Sequence, residues 1–165
     1  MAETTDRFQL PFILPGQAQK ELFHNEALAM ADALLHPAVE GAPLAAPPEA
    51  PAAGQMWIVG ANPGGAWSGR ADMLAAWTQG GWRFAVPAPG MAVWNKSAAL
   101  WAQWTGTSWK SGEVPAARIV VDGVQVVGSR QQAVPSPSGG TIIDAEARSA
   151  IASIIVALKT HGLTD

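Results

Sequence analysis

Eight tryptophans and no tyrosine, with every tryptophan between residues 54 and 114, constrain this 165-residue chain more than any other feature. Within that segment, short apolar runs alternate with glycine-containing turns, a pattern typical of antiparallel β structure. One spacing occurs twice, from Trp77 to Trp82 and from Trp104 to Trp109, each time with Thr after the first Trp and a small turn between. Each stretch predicts a β-hairpin whose two indoles face each other across the strands.

A further hairpin is predicted outside the Trp-rich segment. β-branched residues fill 119–121 and most of 124–127, and Asp122-Gly123 lies between the two runs. Asp-Gly favours a type I′ turn, because glycine accepts the positive φ angle that this turn requires. The residues that follow, 135–140, are rich in Pro, Ser and Gly and are typical of a linker.

Apolar residues at helical spacing predict one helix before the β structure and one after it. The first is expected within 17–36, in one or two pieces, with Asn25 as an N-cap. The second is expected over 144–161, with Asp144 as the N-cap and Gly162 just beyond the C-terminus. The sequence therefore predicts an α+β fold, with an N-terminal helix, a Trp-rich antiparallel β domain of short hairpins and a C-terminal oligomerisation helix.

The C-terminal helix carries the pattern of an association seam. Ala147, Ile151, Ile154 and Leu158 follow a 4-3-4 spacing, as alternate core positions of a heptad repeat do. Isoleucine at core positions favours three or more helices over two, which predicts a homotrimer. Two heptads are too short to associate alone, so we expect the helix to act together with the rest of the chain.

The segments predict four domains with different tasks. The predicted domains are 1–45, an arm and helix for attachment; 46–114, the Trp-rich β domain; 115–140, a hairpin and linker; and 141–165, the C-terminal helix.

Charged residues make up only 14% of the chain, against about 25% in ordinary globular domains. Partners are therefore expected to cover part of its surface.

The tryptophans have two interpretations. Core packing is expected for about five of the eight, because a small β domain uses such large side chains to fill its interior. The other interpretation is a surface on which sugar rings stack. Trp67, which lies among three glycines in a loop-like segment, and Trp101, which alternates with Trp104 along a strand, are the candidate ligand-binding residues.

The N-terminal residues predict a docking arm. Pro11 and Pro15 bracket the apolar residues Phe12, Ile13 and Leu14, and prolines keep such a segment out of helices and central strands. We expect this arm to lie on an apolar surface, either the core of its own chain or a neighbouring subunit. Phe12, Ile13 and Leu14 are the candidate attachment residues.

Composition and motifs favour a protein without enzymatic activity or cofactor. No cysteine is present, the histidines lie in no metal-ligand spacing, and nucleotide-binding and nucleophile motifs are lacking. Asp72 and Glu113 are the only acids between residues 54 and 113, where a glycosidase would need two carboxylates close together. The chain has no basic run, so nucleic-acid binding is not expected. It has no apolar run of about 20 residues, so membrane insertion is not expected. Its first ten residues carry no apolar core, so a secretion signal is not expected either.

Three sets of residues make the chain resemble a known family. The sets are Leu10-Pro11, 16–20 and 24–28; then 46–48, Gly54, 57–59, 65–69 and Ala76-Trp77; and finally 122–128, Arg130-Gln131, Gly140-Thr141, 144–148 and 161–163. On these residues the chain is similar to an uncharacterised family of phage and prophage proteins. That family accompanies tail-fibre and structural genes of alphaproteobacterial phages and gene transfer agents.

The resemblance implies a structural virion protein, assembled in the host cytoplasm, that forms part of a tail fibre, spike or tail tip. Other virion proteins are then its partners. Host-surface polysaccharide is the ligand expected from the eight tryptophans, which lie in a segment with few charges. The alternative is a purely structural adaptor that links a fibre to the particle and binds no ligand. A third alternative is a glycan hydrolase, which would depend on Asp72.

Overall fold

The computed structural model describes residues 4–7, 10, 12, 13 and 20–165. In this part of the chain, one helix precedes nine short strands and a second helix follows them. The chain divides into two units, Met1–Glu113 and Val114–Asp165. Apart from one two-residue parallel pairing, the strands pair antiparallel, so the predicted α+β class is confirmed. The tasks assigned to the four predicted domains stay predictions.

In its described part, the first unit has one helix, seven strands and one 3₁₀ turn. The strands form two sheets, ordered β1-β5-β6-β7 and β2-β3-β4. The elements are α1 (Lys20–Leu34), β1 (Ala38–Val39), β2 (Met56–Ile58), the 3₁₀ turn (Gly65–Trp67), β3 (Leu74–Thr78), β4 (Gly81–Ala85), β5 (Ala92–Asn95), β6 (Leu100–Trp104) and β7 (Trp109–Ser111).

Both predicted Trp hairpins are confirmed. Trp77 lies opposite Trp82 in the β3–β4 pair, and Trp104 lies opposite Trp109 in the β6–β7 pair. The ring centroids are 4.9 Å apart in the first pair and 5.6 Å in the second. Aromatic pairs at such distances and inclined angles stabilise neighbouring strands by about 0.5–1.5 kcal/mol beyond the area they bury.

The three-stranded sheet is covered on both faces because its side chains alternate between two apolar clusters. Met56, Ile58, Leu74 and Ala76 join one cluster with residues of α1 and of the four-stranded sheet. On the opposite face, Trp57 and Ala75 join the second cluster, against which Trp77, Trp82 and Phe84 pack. This arrangement explains why all of β2 is buried.

Helix α1 begins earlier than its predicted cap. The helix runs from Lys20, so Asn25 lies inside it and the prediction of Asn25 as an N-cap is wrong. The Asn25 side chain instead accepts a hydrogen bond from the Ile13 N–H at 2.9 Å and donates one to the Ile13 carbonyl at 3.1 Å. Asn25 therefore fixes the arm to the helix.

Residues 37–53, a Pro-rich segment after α1 that we call the strap, contain a strand that was not predicted from the sequence. β1 pairs in parallel with β5, and Leu44 forms an isolated parallel bridge with Val59. The Glu40 N–H donates to the Met56 carbonyl at 2.9 Å. The strap thus pairs with one sheet through β1 and hydrogen-bonds to the other through Glu40 and Leu44.

The second unit contains the predicted hairpin and the predicted helix. β8 (Ile119–Val121) pairs with β9 (Val124–Val127), and both turn residues have positive φ, 49° at Asp122 and 78° at Gly123. These angles confirm the turn expected of Asp-Gly. Helix α2 follows at Ala145–Thr160.

Both ends of α2 are capped as predicted. The Asp144 carboxylate accepts a hydrogen bond from the Ala147 N–H at 2.8 Å. At the other end, Gly162 has φ of 68° and donates to the Lys159 carbonyl, and the Leu163 N–H donates to the Leu158 carbonyl at 2.9 Å. This pair of bonds is a Schellman motif, which satisfies carbonyls that a helix C-terminus otherwise leaves without partners.

Candidate functional site

The outer face of the four-stranded sheet carries a third cross-strand pair of tryptophans. Trp94 on β5 lies opposite Trp101 on β6, with ring centroids 5.3 Å apart and planes at 72°. Side chains alternate along these strands, so Val93 and Ala102 point into the core while the two indoles point away from it. We call Trp94 and Trp101 the outer Trp pair.

Trp101 is the most accessible tryptophan of the chain. Half of its surface, 50%, is exposed, whereas Trp94 is half-buried and supports it edge-on. Among the described residues, no side-chain hydrogen bond involves either indole N–H. The outer Trp pair therefore offers an exposed aromatic surface, the feature on which sugar stacking depends.

Polar side chains border the outer Trp pair on the same face of the sheet. Gln103 lies two residues after Trp101 in β6, and Lys110 lies opposite Gln103 in β7. Lys110 is exposed. Gln103 reaches the Gly90 carbonyl only at 3.5 Å, the outer limit of a hydrogen bond. An amide and an ammonium group thus flank the exposed indole.

Trp67 does not lie on this surface. It is fully buried, 0% exposed, and its ring packs against Trp82 at 5.0 Å and 81° and against Trp57 at 6.4 Å. The expectation of an exposed indole at Trp67 is wrong, because the 3₁₀ turn directs this side chain into the second apolar cluster. Its Nε1 atom has no hydrogen-bond partner among the residues that the structure describes. The core interpretation therefore applies at this position.

No sequence motif marks Trp94, and its position opposite Trp101 follows from the register of β5 and β6. Trp94 and Trp101 are separated by a turn of four residues, and neither is followed by Thr. An alternation of buried and more exposed side chains over residues 92–95 and 101–104 is the signal that pairs them. Such alternation is readable only after the strand ends are known.

A cavity of about 800 Å³ lies elsewhere in the first unit. Helix α1, the arm and the β3–β4 hairpin line it, with Phe12, Leu22, Ala29 and Met56 among the apolar residues. At its border, the Arg83 guanidinium donates to both Glu26 carboxylate oxygens. These hydrogen bonds lower the pKa of Glu26 from its ordinary value, against the opposing effect of burial, and raise the pKa of Arg83.

The arm residues that the structure describes contact the C-terminal part of α1. The buried Asp32 carboxylate accepts from the Thr5 hydroxyl and from the Arg7 N–H, each at 2.8 Å. The Arg7 guanidinium donates to four carbonyls between residues 32 and 36, at 2.8 to 3.1 Å. Arg7 therefore caps the helix C-terminus, where cations and donors are favoured.

The predicted attachment residues lie partly on this arm. Phe12 lines the cavity and Ile13 is held by Asn25, and both are half-buried. Leu14 lies outside the described residues. The arm therefore rests at least in part on its own chain, and its docking on another virion protein stays a prediction.

The predicted association residues lie on an open face of α2. Ala147, Ile151 and Ile154 are exposed and Leu158 is half-buried, while Ile155 is buried within the second unit. All seven residues of β8 and β9 are exposed as well. The second unit by itself therefore leaves an unusual amount of apolar side chain in water.

Neither a membrane-spanning helix nor a cluster of metal ligands occurs among the described residues. No helix in the described part of the chain is both long and apolar enough to span a bilayer. Nor do the residues described here bring together three or more metal-ligating side chains of His, Asp or Glu. The backbone carbonyl of Asp72 accepts a hydrogen bond from Trp109 Nε1 at 2.9 Å.

Comparison with known proteins adds a family without an assigned activity. The model of the family described as "Protein of unknown function (DUF2793)" matches residues 24–110, slightly more than half of the chain. The match includes most of α1 and all strands of the first unit up to the first residues of β7. None of the curated proteins matches the chain.

Proposed function

This chain belongs to the DUF2793 family of unknown function, and from that premise we propose that it is a non-enzymatic structural protein of a phage-like particle. In this proposal it forms part of a tail fibre, spike or tail tip and holds polysaccharide at the host surface. The family description names no particle. The virion assignment is supported by the resemblance of residues along the whole chain to phage and prophage proteins that accompany tail-fibre genes.

The observation that carries the ligand-binding part of the proposal is the outer Trp pair. An exposed indole on a sheet can stack against the apolar face of a sugar ring, and Trp94 packs against the Trp101 ring with centroids 5.3 Å apart. Pre-organisation matters because an immobilised side chain has no rotamer freedom left to lose on binding. Flanking polar groups, such as Gln103, can then bond the sugar hydroxyls.

A single site of this size binds weakly, and self-association raises the apparent affinity by linking several sites. A few stacking and hydrogen-bonding contacts correspond to a Kd on the order of 1 mM. Linking two or three such sites raises apparent affinity by about 10²–10⁴ without any new contact. We therefore propose a homotrimer, in which residues 114–165 join the chains and the first unit presents the outer Trp pair.

The open apolar surface of the second unit supports this arrangement. Ile151 and Ile154 are 42% and 59% exposed. An isolated two-stranded hairpin is marginally stable in water, so β8 and β9 also gain from packing against further copies. The unit contains four basic and four acidic residues, so no net charge opposes its association.

Particle adsorption tests the proposal with two adjacent substitutions. Trp101→Ala removes the stacking surface, and Leu100→Ala changes a neighbour that is similarly exposed, 46% against 50%. Leu100 is next to Trp101 in β6, so side-chain alternation places it on the other side of the strand. We expect particles with Trp101→Ala to contain the protein but adsorb poorly to host cells, and particles with Leu100→Ala to adsorb normally.

Two results would contradict parts of this proposal in different ways. Normal adsorption of Trp101→Ala particles would remove ligand binding and leave the structural adaptor as the function. Absence of the wild-type protein from purified particles, measured by mass spectrometry, would contradict the virion assignment itself.

A further inference from the structure

Lys110 places a positive charge on the outer face of the four-stranded sheet, where none of the described acids pairs with it. Lys110 is exposed and makes no ion pair with any described residue. Lys96, which follows β5, differs because its Nζ lies 2.6 Å from the Glu40 carboxylate. Strands β5, β6 and β7 themselves contain no Asp or Glu. A ligand on this face therefore meets an uncompensated ammonium group.

Strand register places this ammonium group beside the exposed indole. Lys110 is directly opposite Gln103, and Gln103 is two residues from Trp101 on the same face of β6. Lys110 and Trp101 are therefore diagonal neighbours across β6 and β7. Diagonal positions in an antiparallel pair are about 7–8 Å apart, within reach of a lysine side chain. The ammonium can thus lie at the edge of a sugar ring stacked on Trp101.

We infer that the outer Trp pair selects a carboxylate-bearing polysaccharide, such as one built of uronic acids. Trp101 supplies the stacking surface, Gln103 bonds ring hydroxyls and Lys110 pairs with the carboxylate. A neutral sugar uses only the first two of these contacts. The inference rests on the proposed function, because it names the ligand class of that site.

Binding to three acidic polymers and to the same polymers without their charge tests this inference. An array would carry polygalacturonate, alginate and hyaluronan, each beside its methyl-esterified form, so that the backbone stays the same while the charge is lost. The full-length chain is compared with Trp101→Ala, Lys110→Gln and Lys159→Gln. Lys159 lies in α2, and its substitution changes net charge by the same amount in the other unit.

The expected result has three parts. Wild type binds at least one acidic polymer more tightly than its ester, and Trp101→Ala loses binding to both forms. Lys110→Gln binds the acidic form about two- to fivefold more weakly per site, the size expected of an exposed ion pair, and binds the ester as wild type does. Lys159→Gln behaves as wild type. Added salt weakens wild-type binding to the acidic form only, because ions screen the Lys110 charge.

The inference and the proposed function fail on different results. Equal binding of acid and ester by wild type, still lost in Trp101→Ala, overturns the acidic selectivity and leaves the stacking site in place. Equal weakening by Lys110→Gln and Lys159→Gln also overturns it, since net charge alone then explains the effect. Failure of wild type to bind any acidic polymer rejects the inferred ligand class. Binding that Trp101→Ala does not weaken counts against the proposed site itself.

Discussion

Glu26 on α1 and Arg83 on β4 form a bidentate ion pair, with Nε–Oε2 and Nη2–Oε1 distances of 2.5 and 2.6 Å. The pair joins the helix to the hairpin that carries Trp77 and Trp82. It lies at the border of the cavity, where both side chains stay partly exposed, 25% for Arg83 and 45% for Glu26. Solvent therefore screens the attraction and limits what the pair contributes.

The Glu26–Arg83 pair predicts an acid-sensitive contribution to stability. Glu26→Gln should lower the free energy of unfolding at pH 7 by less than about 1 kcal/mol. Because the folded-state pKa of Glu26 is lowered from the ordinary 4.5, this contribution is complete above that value and is lost as pH falls through the folded pKa. Urea unfolding by circular dichroism at decreasing pH measures the difference, with exposed Glu49→Gln as the control. A difference that persists unchanged in strong acid would contradict this.

The burial of Trp67 predicts a large stability loss on truncation. Trp67→Ala removes a fully buried indole from contact with Trp57 and Trp82 and should cost about 3–5 kcal/mol. Trp101→Ala should cost only about 0.5–1.5 kcal/mol, because it removes an edge-on contact at the surface. Denaturant unfolding of the two variants measures both values. Similar losses of unfolding free energy for the two substitutions would contradict the prediction, because they would mean that both indoles are equally buried.

The exposed face of α2 predicts a mass change. Wild type should have three times the 17.1 kDa mass of one chain in multi-angle light scattering at micromolar concentration. Ile151→Asp and Ile154→Asp should lower that mass, because each places a charge in the apolar seam. Ser149→Asp adds the same charge at an exposed position outside the 4-3-4 pattern and should leave the mass unchanged. A monomeric wild type would exclude the trimer in solution.

The Asp144 cap predicts a stability change at the start of α2. Asp144→Ala removes the acceptor for the Ala147 N–H and should cost about 0.5–2 kcal/mol. Asp144→Asn keeps an acceptor oxygen and should restore most of that loss. Thermal unfolding followed by the helical circular dichroism signal measures both variants. The cap role is wrong if asparagine is no better than alanine.

The arm contacts predict two effects of deleting residues 1–16. Without Thr5 and Arg7, Asp32 loses two donors and the end of α1 loses its cap, so the first unit should be destabilised by about 1–3 kcal/mol. If the arm also docks on a virion protein, the truncated chain should remain folded yet be missing from particles. Arg7→Ala alone is the control, since it loosens the helix end and keeps Phe12 and Ile13. Normal incorporation of the truncated chain would contradict the docking role.

Local sequence was sufficient where one contact between near neighbours determines the structure. Trp77 and Trp82 are five residues apart, and Asp122-Gly123 and Asp144 act on residues within the same turn, so their pattern could be read directly. The α+β class followed from these signals together. Each depends on backbone geometry that only a few residues define.

Long-range contacts set the features that sequence reasoning missed. Asn25 resembles a cap, but its real partner is Ile13 on the arm, 12 residues earlier. β1 is two residues long and pairs with β5, more than 50 residues away, so no local pattern marks it. The glycines around Trp67 suggested an exposed loop, whereas the turn they form directs the indole inward. The outer Trp pair likewise needed the register of β5 and β6.

All eight indoles lie in the first unit, and residues 114–165 contain no Trp, Tyr or Phe. Tryptophan fluorescence of the intact chain therefore originates from one unit alone, and the other unit emits nothing that could obscure it. The unfolding of Met1–Glu113 can be followed by its tryptophan fluorescence without any label, and Val114–Asp165 contributes no signal. A single tryptophan placed at an exposed position of α2 would make the second unit visible as well, so that the order in which the two units unfold can be read from one sample.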